Sequence, residues 1–299
     1  MGICDGRVAI VTGGGRGVGR AYALMLASQG AKVVVNDLGA AANGVGADLS
    51  PAQEVVNEIV AKGGEAIVNG SDVSDWAQAH AMVQGAVDQF GHLDILINNA
   101  GILRDRMMVN MTEDDWDAVI KVHLKGTFAP AHHAANYWRT ESKAGRQRDA
   151  RIINTSSGSG LFGNIGQANY AAAKGGIASF TIVIARELAR IGVTVNAIAP
   201  RAQTRMTENL REVSGEALLR RDPEWIAALV TWLASPAARD VTGRVFEAWG
   251  FGYSVAGGWT HGPITEASRD PATVEDGVRH ILAAARYNAG IDRDTWLNP

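Results

Sequence analysis

A tyrosine and a lysine stand four residues apart in Tyr170-Ala-Ala-Ala-Lys174, within an alanine-rich stretch that predicts a helix. On a helix this spacing turns both side chains to one face, so the ammonium can approach the phenol. A free tyrosine has a pKa of about 10 and is a weak base at neutral pH. At roughly 4 Å and an effective dielectric of about 20, the attraction is on the order of 4 kcal/mol, or about 3 pKa units. A phenol with a pKa of about 7 is therefore within reach.

Ser157 lies thirteen residues before the tyrosine, at the mouth of a predicted strand. Its hydroxyl could hydrogen-bond a substrate oxygen while Tyr170 exchanges its proton, which suits the interconversion of an alcohol and a carbonyl. The same tyrosine-lysine spacing also occurs in solvated helix pairs that contribute only a few tenths of a kcal/mol. The spacing alone leaves both interpretations open.

A glycine-rich turn near the start of the chain predicts a nucleotide site. A short strand at 8–11 runs into TGGGRGVG at 12–19 and then into a predicted helix at 20–29. Glycines let backbone amides approach a pyrophosphate, and the helix N-terminus adds donors and partial positive charge. We therefore predict cofactor contacts at Gly13, Gly14, Gly15, Arg16, Gly17 and Val18.

An acidic residue follows the next predicted strand, which ends in Asn36-Asp37. A carboxylate about 20 residues after a glycine turn can accept from both hydroxyls of an adenosine ribose, and it repels a 2'-phosphate. Asp37 thus favours NAD over NADP, although Arg16 is a basic group of the kind that tolerates the phosphate. A strand-ending turn residue is the alternative interpretation of Asp37.

Polar residues also follow two later strands. Asp72 precedes Val73 after the strand at 66–69, and it could accept from an adenine amino group or cap the next helix. A buried strand at 93–97 ends in Asn98-Asn99-Ala100-Gly101. Ligands of parallel sheets bind at the carboxyl ends of strands, so we expect these asparagines both to brace strands and to line the cofactor pocket.

The remaining pattern alternates helices and strands. A helix is predicted over 113–137, and it contains His123, which on composition alone is a structural histidine. The charged run 139–151 is interpreted as a solvated surface loop. Later segments are a strand at 193–198, a polar lid at 201–220, a helix at 223–233, a last strand at 245–248, and a tail at 251–299 with a helix around 274–287.

Composition excludes several classes of protein. The chain has 299 residues, 46% hydrophobic and 20% charged, with a net charge of -3 that gives no reason to expect nucleic acid. The single cysteine excludes an intramolecular disulfide and a cysteine metal cluster, so we expect no metal and a reducing, cytoplasmic setting. No signal peptide and no apolar run near the 18 or so residues of a membrane span is expected.

Four motifs, in this order and spacing, resemble the short-chain dehydrogenase/reductase family: TGGGRGVG at 12–19, NNAG at 98–101, Ser157, and YAAAK at 170–174. The resemblance implies one Rossmann domain, an α/β fold whose doubly wound parallel sheet has about seven strands with helices on both faces. By position, Tyr170 is the acid/base, Lys174 lowers its pKa and holds the nicotinamide ribose, and Ser157 orients the substrate oxygen.

The resemblance also implies how NAD(P) is held. It assigns the phosphates to 13–16, the ribose to Asp37, the adenine to Asp72 and Val73, and the nicotinamide side to Asn99, in the turn with Ala100 and Gly101.

Further segments are similar to the (3R)-hydroxyacyl-CoA dehydrogenase domain of peroxisomal multifunctional enzymes: VVVNDLG at 33–39, GILRDR at 101–106, GNIGQANYAAAK at 163–174 and RMTE at 205–208. Such domains oxidise the 3-hydroxyl of (3R)-hydroxyacyl-CoA with NAD, which agrees with Asp37. The alternatives are a 3-oxoacyl-thioester reductase or a steroid or other secondary-alcohol dehydrogenase. From another class, the chain could be a Rossmann module that binds a nucleotide without catalysis.

Two positions depart from the family pattern. Most members have an asparagine in the fourth helix, whose backbone kink feeds a proton-relay water, and this chain has His123 there. Either the backbone alone keeps the relay, which we favour, or the imidazole joins it. The usual Pro-Gly after the sixth strand is Pro200-Arg201, and Arg201 either reaches an anionic group such as a CoA phosphate or faces solvent.

For the whole chain we expect a Rossmann domain at 1–250, with a substrate lid at 201–222, and an extension at 251–299 that packs on the substrate side or at a subunit interface. Family members associate through the helices that carry His123 and Tyr170, so the resemblance implies a homodimer or homotetramer. The expected partner is a small acyl-CoA or other hydroxy or keto substrate, with no nucleic acid and no membrane.

Overall fold

The computed structural model describes residues 2–202, 221–267, 274–286 and 289–291. Most of the predicted lid at 201–222 lies outside these ranges, and so does the RMTE segment at 205–208. Tyr287, at the predicted end of the C-terminal helix, also lies outside them.

A single sheet organises the first 255 residues, with the strand order β3-β2-β1-β4-β5-β6-β7-β8. All neighbouring pairs are parallel except β7 and β8, which are antiparallel. The strands are β1 (Val8–Thr12), β2 (Lys32–Asn36), β3 (Ala66–Asn69), β4 (Ile95–Asn98), β5 (Ala150–Thr155), β6 (Val193–Pro200), β7 (Val245–Trp249) and β8 (Gly252–Val255).

Helices connect these strands. They are α1 (Gly17–Ser28), α2 (Ser50–Ala61), α3 (Trp76–Phe90), α4 (Glu113–Ile120), α5 (Gly126–Lys143), α6 (Gly158–Phe162), α7 (Ala168–Leu188), α8 (Glu224–Ala234) and α9 (Val274–Ala284). A π-helical turn, Lys121–Lys125, joins α4 to α5.

Two hydrophobic layers sandwich the sheet, because successive side chains of a strand point to opposite faces. Ala9 and Val11 of β1 belong to one layer, with side chains of α1, α2 and α8. Val8 and Ile10 belong to the other, with side chains of α3, α5 and α7. Continuous apolar strands are buried on both faces in this way. The predicted α/β doubly wound sheet is confirmed.

Three local predictions were wrong. The sheet does not end at residue 248, because β8 adds an antiparallel strand after a tight reversal at 250–251. The helix predicted over 113–137 is interrupted by the π-helical turn and continues to Lys143. The charged run 139–151 is not one solvated loop, because Arg151 lies in β5 with 1% exposure.

The described chain separates into two compact units, 1–255 and 256–299. In the second unit, α9 carries an ion pair one turn apart, Arg279 Nη2 to Glu275 Oε1 at 2.6 Å. Where the extension packs stays a prediction. Among the described residues, no helix combines the length and apolar character needed to cross a membrane.

Candidate active site

The strand order brings the predicted residues to one edge of the sheet. β2, β1, β4 and β5 are parallel neighbours that end at Asn36, Thr12, Asn98 and Thr155. Residues that follow parallel strands meet at their carboxyl edge. This edge therefore carries the glycine turn, Asp37, Asn99 and Ser157.

The glycine turn requires residues that have no Cβ, because neighbouring backbone atoms occupy the space that a Cβ would need. Gly13 has a φ of +62°, and a Cβ there would lie 2.9 Å from the Ala100 Cα. A Cβ at Gly19 would lie 2.0 Å from the Gly13 carbonyl oxygen. Arg16 caps α1 without a side-chain hydrogen bond, which leaves first-turn amides open to an anionic group. The turn has the form of a phosphate cradle.

The other residues of the turn attach it to the sheet. The Gly14 amide donates to the Asn36 carbonyl at 2.9 Å, and Gly17 has a φ of +54° as α1 begins. Val18 packs partly buried against the core beneath α1. The first-turn amides of α1, which no side chain caps, thus belong to a turn that is hydrogen-bonded to β2.

Asp37 is half-buried directly after β2, and both of its oxygens accept backbone hydrogen bonds. Oδ2 accepts from Gly15 N at 2.8 Å, and Oδ1 accepts from Gly39 N at 2.7 Å. The bond to Gly39 is the turn role that the sequence offered as an alternative. A carboxylate has further acceptor capacity, so this contact does not compete with a ribose. The Arg16 guanidinium donates to the Ala40 carbonyl at 3.3 Å.

Asn99 braces the turn. Its Nδ2 donates to the carbonyls of Thr12 at 3.1 Å and Gly13 at 3.2 Å. The Thr12 hydroxyl in turn accepts from the amides of Asn99 at 2.9 Å and Ala100 at 3.1 Å. Sequence reasoning missed Thr12, although a threonine at a strand end before a glycine turn is the signal that could have found it.

Asp72 and Val73 lie at the end of β3. Asp72 Oδ1 accepts from the Ser74 amide at 2.8 Å and its hydroxyl at 2.6 Å. The cap of α3 is instead Asp75, which accepts from the Gln78 amide at 2.9 Å. The capping interpretation of Asp72 was therefore wrong, because the helix begins at Trp76 and Asp75 occupies the cap position. Val73 is buried, 5% exposed.

Ser157 follows β5 and caps the short helix α6. Its Oγ accepts from the Ser159 amide at 3.2 Å, which leaves the hydroxyl proton free to be donated. The Ser157 hydroxyl lies near enough to the Tyr170 side chain to act on it, and its effect is to lower the phenol pKa. The structure thus brings the predicted serine and tyrosine together.

Lys174 lies on the same face of α7 as Tyr170. Its Nζ is 5.6 Å from the centroid of the Tyr170 ring and donates to the Thr155 carbonyl at 2.6 Å. Burial lowers the pKa of Lys174 to about 7. Burial also raises the pKa of Tyr170 to about 12, against the Ser157 hydrogen bond.

The lowered phenol pKa expected from the spacing is therefore not found. The Lys174 Nζ lies over the ring face and donates to the Thr155 carbonyl, and burial is the largest cause of the pKa shift of both groups. The proximity of Lys174 to the phenol was predicted, whereas its effect on the resting pKa was not.

His123 lies in the π-helical turn with 1% exposure. Its Nε2 is 2.7 Å from the Ile102 carbonyl and 3.1 Å from the Ile102 amide, and its ring meets the Tyr170 ring edge-on at 5.1 Å. Nδ1 is buried without a hydrogen-bond partner in the described part of the chain. Burial, and secondarily the Lys174 charge, hold the His123 pKa well below its usual value, so the ring is neutral.

Gly101 and Arg201 complete the predicted positions. A Cβ at Gly101 would lie 2.2 Å from His123 Cε1, so the imidazole occupies the space beside the NNAG turn. Arg201 Nη2 lies 3.6 Å from Glu247 Oε1, and its guanidinium lies 6.0 Å over the Trp249 ring. Arg201 is therefore paired with a carboxylate rather than simply facing solvent, and its contact with an anionic substrate group stays a prediction.

Asn98 braces two strands, as expected, but the buried polar chain that continues from it through Asn154 and Thr181 was missed. Asn98 Nδ2 donates to Asn154 Oδ1 at 2.9 Å, Asn154 Nδ2 donates to Thr181 Oγ1 at 2.9 Å, and Thr181 donates to the Ile177 carbonyl at 2.8 Å. The chain ties β4 and β5 to α7, and it supports the helix that carries Tyr170.

In the ranges that the structure describes, no group of three or more His, Cys, Asp or Glu side chains is placed to hold a metal ion. A shallow cleft of about 300 Å³ lies along the far end of α7, around Ile182, Arg186 and Thr242, and holds none of the predicted residues.

Comparison with known proteins agrees with this geometry. A family model described as short chain dehydrogenase matches residues 7–215. The chain is 46% identical over 256 residues to a hydroxyacyl-CoA dehydrogenase of Mycobacterium tuberculosis, covering 82% of this chain and 78% of that protein. It is 46% identical over 246 residues to the peroxisomal hydratase-dehydrogenase-epimerase of Neurospora crassa, covering 82% of this chain but only 26% of that longer protein. It is also 42% identical over 249 residues to a 3-oxoacyl-[acyl-carrier-protein] reductase of Synechocystis, covering 80% and 94%.

Two solved structures extend the comparison. A short chain dehydrogenase from Mycobacterium avium superposes with a TM-score of 0.88 at 52% identity, covering 97% of this chain and 99% of that one. A short chain dehydrogenase from Burkholderia cenocepacia, in complex with NADP, superposes with a TM-score of 0.69 at 30% identity, covering 81% and 96%. The glycine turn, the carboxyl-edge residues and these matches together show that the chain belongs to the short chain dehydrogenase family, a family of NAD(P)-dependent oxidoreductases.

Proposed function

We propose that this chain oxidises the 3-hydroxyl of (3R)-hydroxyacyl-CoA to a ketone with NAD, using Ser157, Tyr170 and Lys174. The observation that carries the proposal is their convergence at the carboxyl edge: the Ser157 hydroxyl acts on the Tyr170 phenol, and Lys174 Nζ lies 5.6 Å from the centroid of the same ring. The name of the Mycobacterium tuberculosis relative, 46% identical, supports the substrate class.

The residues of the glycine turn fit a dinucleotide. The turn has the close backbone approach that only glycine allows at Gly13 and Gly19, and its first-turn amides are not capped by a side chain. NAD, when bound, supplies the hydride acceptor and a cationic nicotinamide ring. We assign its phosphates to this turn and its adenosine ribose to Asp37. Asp37 supports NAD over NADP because its carboxylate would lie against a 2'-phosphate.

The protein's own part of the reaction is to hold the substrate oxygen and move one proton. NAD, when bound, would take up the hydride of the carbinol carbon. Tyr170 first gives up its phenol proton along the path through Lys174 and then takes the hydroxyl proton of the substrate, while the Ser157 hydroxyl donates a hydrogen bond to the same oxygen. With a pKa of about 7, Lys174 can exchange a proton at neutral pH, so it continues the path away from Tyr170. His123 is neutral and buried. We therefore propose that its ring shapes the π-helical turn and that the backbone alone keeps the proton relay.

A direct assay tests the proposal. Purified protein is mixed with NAD or NADP and (3R)-hydroxyacyl-CoAs while reduced nicotinamide is followed by absorbance. We expect turnover with NAD at a higher kcat/KM than with NADP. Tyr170→Phe removes one oxygen and should lower turnover by at least about a thousandfold while binding of NAD is kept. Tyr137→Phe removes the same atom outside the site and should leave turnover unchanged. Substantial turnover by Tyr170→Phe contradicts the mechanism.

Reduction of a 3-oxoacyl thioester is the second candidate. The raised pKa of Tyr170 keeps the phenol protonated, which suits an acid that protonates a forming alcohol, and the Synechocystis relative is named as a reductase. Running the assay in reverse with 3-oxoacyl-CoA and reduced cofactor, at matched pH, distinguishes the two directions by their kcat/KM. A protein that binds NAD without turnover in either direction would be a non-catalytic module.

A further inference from the structure

An acidic side chain, Asp105, stands at the rim of the site in the loop after β4. Both neighbouring arginines are turned to other carboxylates: Arg104 pairs with Asp114, and Arg106 Nε lies 2.9 Å from Asp115 Oδ2. Within the described ranges, no ion pair is formed by Asp105 itself. Asp105 is thus a carboxylate that its surroundings do not neutralise.

A short chain of hydrogen bonds links this carboxylate to the reacting groups. Asp105 Oδ2 accepts from Gln167 Nε2 at 2.7 Å, and Gln167 Oε1 accepts from the Ser159 hydroxyl at 2.7 Å. The Ser159 amide donates to Ser157 Oγ at 3.2 Å. Gln167 is 5% exposed and immediately precedes α7, three residues before Tyr170.

The backbone holds the same contact in place. The Arg106 amide donates to the Gly166 carbonyl at 2.8 Å, and residues 106 and 167 form a parallel bridge. The negative charge of Asp105 reaches the site, because it acts with burial to raise the pKa of Tyr170. The partner that holds Asp105, a glutamine, is neutral, so the charge is fixed in position but not compensated.

We infer that Asp105 selects substrates by charge, admitting a neutral acyl thioester and disfavouring the free 3-hydroxy acid. This inference rests on the proposed function. In a 3-hydroxyacyl group, the acyl carbon is two bonds from the carbinol carbon that Ser157 and Tyr170 hold. A free carboxylate would therefore lie close to Tyr170, whose phenol the Asp105 charge already acts on, whereas a thioester carbonyl carries no charge. Like charges separated by several ångströms in a partly desolvated site repel measurably.

The experiment compares two substrates of the same acyl group with NAD: the N-acetylcysteamine thioester of (3R)-hydroxybutyrate, which is neutral, and (3R)-hydroxybutyrate itself. Asp105→Asn should raise kcat/KM for the free acid at least about fivefold relative to the thioester. Asp105→Glu, which keeps the charge, should keep the wild-type ratio. Asp117→Asn removes an equal charge from the exposed face of α4 and should leave the ratio unchanged.

A second measurement does not depend on any variant folding. In the wild-type protein, raising the ionic strength from about 0.01 to 0.5 M should reduce the preference for the thioester, because salt screens the repulsion. An unchanged ratio in Asp105→Asn, or equal losses with both substrates, would show that Asp105 acts only through the structure of the loop and overturns the inference. A wild-type protein that oxidises the free acid but not the thioester overturns the proposed function as well.

Discussion

Lys174 is an amine that the fold buries almost completely, at 3% exposure, with one carbonyl as its hydrogen-bond acceptor. An ammonium removed from water is costly unless a counter-charge compensates it. Among the described residues, Lys174 has no acidic partner, and burial alone brings its pKa to about 7. The burial of this one residue therefore makes the free energy of unfolding depend on pH.

The free energy of unfolding should therefore rise with pH because of the buried Lys174 amine. A lysine has an ordinary pKa of 10.5, and burial lowers the pKa of Lys174 to about 7 in the fold, so between these values the unfolded chain binds the extra proton. Stability then rises with pH through this window, and the full cost of the buried ammonium is present below pH 7. Lys174→Met should be most favourable relative to wild type below pH 7. Its advantage should shrink by on the order of 2 kcal/mol between about pH 7 and 9.

Urea denaturation at several pH values, from about 6 to 9, measures this difference. Lys62→Met, at an exposed lysine of α2, should show no such dependence relative to wild type. A stability difference between Lys174→Met and wild type that stays constant with pH would contradict the prediction.

At the scale of elements, the π-helical turn between α4 and α5 turns the His123 ring towards the loop after β4. One extra residue in a helical turn shifts the side chains that follow it, and such turns are frequent at functional sites. The ring is held by Ile102 on one side and lies edge-on to Tyr170 on the other. It fills the space beside Gly101, so helix and loop fit together only with glycine at that position.

A double-mutant cycle tests this fit. Gly101→Ala should destabilise the protein by about 2–3 kcal/mol, because its Cβ would lie 2.2 Å from a ring that cannot withdraw. In a His123→Ala background the added methyl has room, so the two changes should cost at least about 1 kcal/mol less than the sum of the single changes. Denaturant unfolding of all four proteins measures the coupling.

Gly85→Ala in α3 is the matched control for this cycle. A Cβ there meets nothing within 4 Å, and alanine in a helix is favoured over glycine by about 0.5–1 kcal/mol. This variant should therefore be neutral or stabilised. Additive effects of Gly101→Ala and His123→Ala would refute the proposed contact.

At the scale of the whole molecule, a cluster of ion pairs at the amino edge of the sheet connects distant parts of the chain. Asp149 Oδ1 and Oδ2 bind Arg151 Nη1 at 2.6 Å and Nη2 at 2.9 Å, and Oδ2 also lies 3.2 Å from Arg7 Nη1. Arg151 further donates to the Ser235 carbonyl at the end of α8. The start of β1, the start of β5 and one helix end are held together far from the reacting groups.

Asp149→Ala should test the stability that this cluster supplies. It leaves the Arg151 guanidinium, 1% exposed, without its carboxylate. Breaking a buried pair costs about 3–5 kcal/mol, and we expect about 2–3 kcal/mol here because the Asp149 side chain is 47% exposed. Unfolding in urea measures the loss.

Glu65→Ala removes a surface pair with Lys32, whose side chains are 61% and 34% exposed, and should cost less than about 1 kcal/mol. Equal losses for the two variants would show that the cluster is no stronger than a surface pair. Because the cluster lies at the opposite edge from Tyr170, the kcat of folded Asp149→Ala should match wild type.

Features that depend on neighbouring residues were predictable from the sequence alone. Short apolar runs ended by polar or turn residues predict the parallel strands, because a buried strand needs both faces apolar. The four-residue spacing places Tyr170 and Lys174 on one helix face, because the helical repeat is local. The glycine turn was predictable for the same reason: only glycine accommodates a backbone that bends so closely around another strand end.

Other features were decided only by tertiary structure, because they depend on which distant segments meet and how much water is excluded between them. The pKa of Tyr170 and Lys174 follows from burial, which a spacing does not contain. Asp105 meets Gln167 across 62 residues. The burial of Arg151, in a run that by charge alone predicts a surface loop, required the carboxylate of Asp149 and a carbonyl from beyond α8. The sequence by itself thus determined the elements and their chemistry, and the packed structure decided the charges at the site.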